Sequence, residues 1–171
     1  ISAKNKNIIT VAAAGNDNTT NEHFPSGYTS TIAISSVDSS MKRSSFSNYG
    51  SAVTFAAPGT AIKSLLSNNM TLAKNNIAKG YNDGDSEREV LNGTSMATPH
   101  ATSAVAILKS YNKNLTLDNV IELLKKHAKD LGTAGWDQEY GYGFINFENA
   151  RFCNGINCDE YNVFKSDAAP T

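Results

Sequence analysis

The apolar positions of this chain form two kinds of pattern: short unbroken runs in the first half and longer helical spacings in the second. Ile8-Ile9-Thr10-Val11-Ala12-Ala13-Ala14 is β-branched and then small, and it stops at Gly15-Asn16. Such a run predicts a strand buried on both faces, as in a parallel sheet. Thr31-Ile32-Ala33-Ile34-Ser35-Ser36-Val37 predicts a second strand. Val53-Thr54-Phe55-Ala56 predicts a third, stopped by Ala57-Pro58-Gly59. Residues 61–65 and 88–91 can pair as a hairpin. Between them, residues 67–87 are polar, rich in Gly and Asn, and without a period. That stretch exceeds an ordinary loop and reads as a surface insertion, either functional or disordered.

From Ala97 onward the apolar residues recur at Ala97, Ala101, Ala104, Val105 and Leu108, one face of a helix. Ser103, Ala106 and Ile107 on the other faces are also small or apolar, which predicts burial nearly all round. A second helix is capped by Thr116, has Asp118 in its first turn, and lines up Leu117, Val120, Ile121, Leu124 and Ala128. Lys125, Lys126, His127 and Lys129 crowd its last turn, where cations suit the helix dipole, and Gly132 ends it. His127 is thus a helix-end histidine. Gly141-Tyr142-Gly143-Phe144-Ile145-Asn146 predicts a glycine turn and a short strand, with Asn146 capping a last turn through Ala150. After Phe152 the sequence turns polar and is expected to fray. The expected division is residues 1–152 as one folded unit and 153–171 as a polar tail.

With 171 residues, a net charge of −1 and 40% hydrophobic residues, the chain has the composition of one ordinary globular domain. Its near-neutral charge argues against nucleic acid as a main partner. No apolar run approaches the ~20 residues of a membrane span. Ile1 opens no signal-peptide pattern, so the expectation is an intracellular chain, a processed one, or a piece of something longer. Cys153 and Cys158 bound a loop short enough to close as a disulfide, which points to a secreted or secretory-pathway source. Two free thiols are the alternative. No other Cys or His stands near them in sequence to make a metal site. The Asn-x-Ser/Thr triplets at Asn18, Asn69, Asn92 and Asn114 carry little weight in an Asn-rich chain.

The chemistry concentrates in Leu91-Asn92-Gly93-Thr94-Ser95-Met96-Ala97-Thr98-Pro99-His100-Ala101. Thr94 or Ser95 falls at a helix N-terminus, where unpaired N–H groups favour negative charge. A serine there can attack a carbonyl while its own N–H helps hold the resulting oxyanion. Gly93 lets a substrate come close. Pro99 forfeits a helical bond and restricts Thr98, a local rule broken beside a candidate nucleophile. Read alone, a Ser or Thr here is simply an N-cap. Gly15 and Asn16 follow a strand's carboxyl end, where open α/β sheets bind their ligands.

The string Gly93-Thr94-Ser95-Met96-Ala97-Thr98-Pro99-His100 closely resembles the nucleophile signature of the subtilisin-like serine proteases. Ala97 excludes the α/β-hydrolase elbow, which needs glycine there. Further segments resemble that family in the same order: Val11-Ala12-Ala13-Ala14-Gly15-Asn16, Ile32 through Asp38, Ser45-Phe46-Ser47-Asn48-Tyr49-Gly50, Ala56-Ala57-Pro58-Gly59 and Gly141 through Asn146. The resemblance covers about residues 8–150. It implies a three-layer α/β fold around a mostly parallel sheet, and peptide-bond hydrolysis through an acyl-enzyme. Carried over, Ser95 is the nucleophile. The Asn16 amide and the Ser95 N–H form the oxyanion hole, and Thr94 supports it. Ala13, Ala14 and Gly15 form a wall of the pocket for the substrate residue before the scissile bond.

The family order is Asp, then His, then Ser. Both partners should precede the oxyanion Asn, and residues 1–15 hold neither Asp nor His. His100 lies about 140° round the helix from Ser95. His23, with Glu22 near the expected pocket floor, reads as a surface or specificity residue. The resemblance therefore implies the C-terminal half of a catalytic domain, inactive alone. Its expected partners are a protein or peptide substrate, the N-terminal half and a propeptide. No cofactor is assignable, since the family's calcium ligands are partly backbone and partly in the other half. The rival reading is an inactive homologue that binds peptides or partners.

Overall fold

The structure is a computed structural model, which describes residues 2–65 and 88–147. The 67–87 insertion, the helical turn expected through Ala150, and the tail with Cys153 and Cys158 lie outside the described residues. Strands β1 (Thr10–Ala13), β2 (Thr31–Val37) and β3 (Val53–Pro58) form a parallel sheet in the order β1-β2-β3. Strand β2 takes the centre because every one of its residues is buried. It pairs Ile32 with Val11 on one side and Ile34 with Phe55 on the other. Strand β1 is shorter than the run at residues 8–14 predicts, and it is half-buried instead of covered on both faces. The difference follows from position: β1 is an edge strand here, and Ile8 just before it is 56% exposed.

The expected hairpin is present. Strands β4 (Ile62–Leu65) and β5 (Arg88–Leu91) pair antiparallel, Ile62 opposite Leu91 and Leu65 opposite Arg88. A short helix α1 (Ser2–Asn5), not anticipated from sequence, precedes β1 and is tied to the rest by Lys4 and Asp118, 3.1 Å apart.

Helix α2 (Thr94–Tyr111) lies across all three parallel strands. Its buried residues are Thr94, Ala97, Ala101, Ala104, Val105 and Leu108. The expectation of burial nearly all round is corrected. Thr102, Ser103, Ala106 and Ile107 are exposed, because the sheet covers one face only. Small residues on the covered face let α2 sit close to Ile32, Ile34, Phe55 and Ala57. Helix α3 (Leu117–His127) adds Leu117, Val120, Leu123 and Leu124 to the same core. Thr116 caps it as expected, completing a capping box with Asn119.

Gly132 does not end α3. The helix stops at His127, because Lys129 exchanges two backbone hydrogen bonds with Phe144 and leaves the helical path. Residues 141–146 hold isolated bridges at Gly141 and Phe144, not a regular strand. They still lengthen the sheet's far edge: Tyr142 N–H donates to Thr54, Ala56 N–H to Gly143, and Ile145 N–H to Ala56. The result is a parallel sheet flanked by helices, a partial α/β domain with its two main helices sharing one core against the sheet.

Candidate active site

Three chain segments meet beyond the carboxyl ends of the parallel strands: the turn after β1, the turn after β3, and the start of α2. Gly93 is the N-cap of α2 and offers no side chain to its helix. Its N–H donates to Gly59 O at 2.8 Å, which fixes the helix start against the turn that follows β3. Ala61 N–H donates to Asn92 Oδ1 at 2.6 Å and strengthens the same junction.

Thr94 does not cap the helix; its groups point to the turn after β1. Its backbone N–H donates to Asn16 Oδ1 at 2.8 Å, and its hydroxyl donates to the same oxygen at 2.9 Å. The hydroxyl oxygen accepts in turn from Gly15 N–H at 3.2 Å. A backbone N–H can only donate, so the amide oxygen of Asn16 must face Thr94 and Nδ2 must face away. Thr94 is fully buried, which makes these bonds costly to lose.

Ser95, the second residue of α2, is exposed. Its N–H is among the first four of the helix, which have no acceptor one turn earlier. Asn16 Nδ2 and Ser95 N each lie 3.6 Å from the point where a Cβ on Gly93 would sit. Both N–H donors therefore border the small space that Gly93 leaves open. Two donors around one space, beside a hydroxyl, suit a developing oxyanion. The Ser95 hydroxyl makes no hydrogen bond among the described residues.

The structure thus brings together Ser95, Asn16 and Thr94. Ala13, Ala14 and Gly15 lead into this centre with their backbone pinned: Ala14 N–H donates to Ile34 O at 3.0 Å, and Gly15 O accepts from Asn48 N–H at 2.9 Å. The histidines are placed apart in role. His100 Nδ1 lies 2.9 Å from Met96 O, on its own helix. His23 is exposed, with Nε2 3.4 Å from Asp17 Oδ2. Its other ring nitrogen lies 3.3 Å from the Cβ position of Gly15, so it borders the turn that carries Asn16. His127 closes α3; burial, and then the Lys126 charge, hold its pKa below the ordinary value. That shift favours the neutral form of a helix-end imidazole. Among the described residues, no three His, Cys, Asp or Glu side chains cluster as ligands for a metal ion, and no helix is long and apolar enough to cross a membrane.

Asn48 is the residue that sequence reasoning did not single out. It is 2% exposed and lies in the loop after β2. In the sequence it stands only as one letter of the Ser45–Gly50 segment that resembles the family, since its partners are some thirty residues away.

A serine and an anchored amide held beyond the carboxyl ends of a parallel sheet are the setting, and comparisons with known proteins point to the class. A psychrophilic subtilisin-like protease from Pseudoalteromonas sp. AS-11 superimposes with a TM-score of 0.70 at 18% identity, over 85% of this chain and 63% of that one. A lanthipeptide protease gives 0.70 at 22% identity, over 84% and 50%. These likenesses concern the fold. Residues 1–143 match the subtilase family, and the chain belongs to it. It is 37% identical to the minor extracellular protease Epr of Bacillus subtilis over 85% of this chain and 20% of that protein. With subtilisin BL of Lederbergia lenta it shares 32% over 87% and 48%. The chain spans less than half the length of these curated relatives.

Proposed function

We propose that this chain is the C-terminal part of a serine endopeptidase domain that cleaves peptide bonds through an acyl-enzyme on Ser95. The observation that carries the reading is the pair of hydrogen bonds that Thr94 donates to Asn16 Oδ1, which leaves Nδ2 and the Ser95 N–H bordering one space. Ser95 Oγ attacks the scissile carbonyl carbon and gives its proton to a histidine base. The carbonyl oxygen becomes an oxyanion held by Asn16 Nδ2 and Ser95 N–H. As the tetrahedral centre collapses, the carbon–nitrogen bond breaks and the amine leaves with the proton from that base. Water then hydrolyses the ester by the same route in reverse. The histidine and its aspartate are supplied by a segment upstream, which the relatives' greater length leaves room for. Thr94 holds the Asn16 amide in one orientation, so the hole does not reorganise as charge develops. Ala13, Ala14 and Gly15 form a wall for the substrate residue before the scissile bond.

The upstream half also has a place to pack. The outer edge of β1 pairs with no strand among the described residues, and an open edge of small and apolar residues invites pairing. The named extracellular relative and the Cys153–Cys158 spacing support a secreted protein, with a propeptide as a further partner. Labelling with a serine-directed fluorophosphonate tests the reading. The complete protein is labelled at Ser95. The chain alone is not, and it needs the upstream half to stay soluble and to regain labelling. An unlabelled complete protein would instead favour an inactive peptide-binding homologue, and stoichiometric labelling of the lone chain would overturn the need for an upstream base.

A further inference from the structure

We infer that Asn48 is the positioning residue of the oxyanion hole: it sets the backbone on both sides of Asn16, while Thr94 sets the Asn16 side chain. The inference rests on the serine-protease reading and deepens it. Asn16 stands in a turn outside regular structure, and a turn alone would let its amide wander. Asn48 binds this turn at four points. Its backbone N–H donates to Gly15 O at 2.9 Å, and its Nδ2 donates to Ala14 O at 3.1 Å. Its Oδ1 accepts from Asp17 N–H at 2.8 Å and from Thr19 N–H at 3.3 Å. The residues on both sides of Asn16 are thus held by one buried residue, Gly15 through the Asn48 backbone and Ala14, Asp17 and Thr19 through its side chain.

The fit leaves no freedom. Gly15 has φ +111°, and a Cβ there would collide with Asn48 Nδ2. The Asn48 amide fills the space that the missing side chain opens. Both functions of the amide are needed, since the turn presents a carbonyl on one side and N–H groups on the other. The loop after β2 supports the clamp. Asn18 N–H donates to Phe46 O at 2.9 Å, Tyr49 N–H to Thr19 O at 3.1 Å, and Arg43 to Asn18 Oδ1 at 3.0 Å. Each parallel strand end therefore contributes: β1 carries Asn16, the loop after β2 aims it, and the turn after β3 seats the helix that bears Ser95.

Among the described residues the Asn48 amide bonds only to backbone groups of Ala14, Asp17 and Thr19, so its loss is expected to act through the turn that carries Asn16. A misplacement of about 1 Å in a catalytic group costs up to ~10²-fold, so Asn48→Ala should lower kcat about ten- to a hundredfold. KM should stay near wild type, because the hole binds the transition state and not the substrate. The test is a double-mutant cycle with Asn16→Ala in the complete protein, with active sites counted by titration. If Asn48 acts through Asn16, then Asn48→Ala has little further effect on kcat once Asn16 is Ala. An equal loss in both backgrounds, or a rise in KM at constant kcat, would overturn the inference. If Asn16→Ala itself leaves kcat unchanged, the oxyanion assignment falls and this one with it. Absence of Ser95 labelling in the wild type overturns the protease reading first and this inference with it, whereas a labelled wild type with equal losses in both backgrounds overturns this inference alone.

Asn48→Asp provides a second route should the alanine variant not fold. Its neutral acid keeps both an acceptor and a donor, and its carboxylate faces Ala14 O with no proton to give. Relative to wild type at each pH, kcat of Asn48→Asp should recover as pH falls and the acid form fills. A flat ratio across the pH range would also overturn the inference.

Discussion

The two halves of this candidate site are built to different standards within the same few residues. The Asn16 amide is held through its oxygen by Thr94, and its backbone neighbours are held by Asn48. Ser95 Oγ, by contrast, stands exposed with no hydrogen bond among the described residues. The contrast separates what catalysis needs fixed from what it needs supplied. Oxyanion donors must be rigid before charge develops, so they are anchored by the sheet and helix that carry them. A nucleophile must exchange a proton with a base, and none of the described histidines bonds to it. On the proposed reading, the described residues hold the electrostatic half of the site, and the proton-transfer half falls to the upstream segment.

The largest expected effect comes from removing the nucleophile. Ser95→Ala in the complete protein should lower kcat by about 10⁶, as for the nucleophile of a subtilisin, while fold and substrate binding persist. Hydrolysis of a peptide amide at a rate near wild type would remove Ser95 from its role. A smaller effect sharpens the contrast from the other side. Thr94→Val keeps the backbone bond to Asn16 but deletes the hydroxyl, and it leaves Gly15 N–H unpaired beside a buried site. That should cost about 1–3 kcal/mol in stability and roughly tenfold in kcat, and Thr94→Ser should restore both. Thermal unfolding and steady-state kinetics on the pair are sufficient. Equal activity of the valine and serine variants would show that the hydroxyl plays no part in aiming Asn16.

Much of this arrangement was legible in the sequence. Strand β2 matches its predicted limits, because a uniformly buried central strand must be apolar or small throughout. Hairpin β4–β5 and the Thr116 cap were also legible, since their signals are local. The roles proposed for Ser95 and Asn16 come from the resemblance, and the structure adds the bonds that hold Asn16 beside Ser95. Other features depend on partners distant in sequence. The end of α3 is set by Phe144, which pairs with Lys129, and not by Gly132. The outer face of α2 carries small residues, and small residues do not say whether a neighbour covers them. Asn48 is ordinary in its own turn and becomes informative only when Ala14, Gly15 and Asp17 fold against it.

The central claim is that Asn16 acts as a donor through a nitrogen fixed by Thr94. Replacing Asn16 with Asp keeps the size and the oxygen that Thr94 holds, and it puts an oxygen where the nitrogen was. The measurement is kcat and KM of Asn16→Asp in the complete protein against a peptide amide. The account predicts that kcat falls by at least about 10²–10³, equivalent to ~2.7–4 kcal/mol, with KM nearly unchanged. A kcat at the wild-type level, or a loss expressed in KM alone, would contradict it.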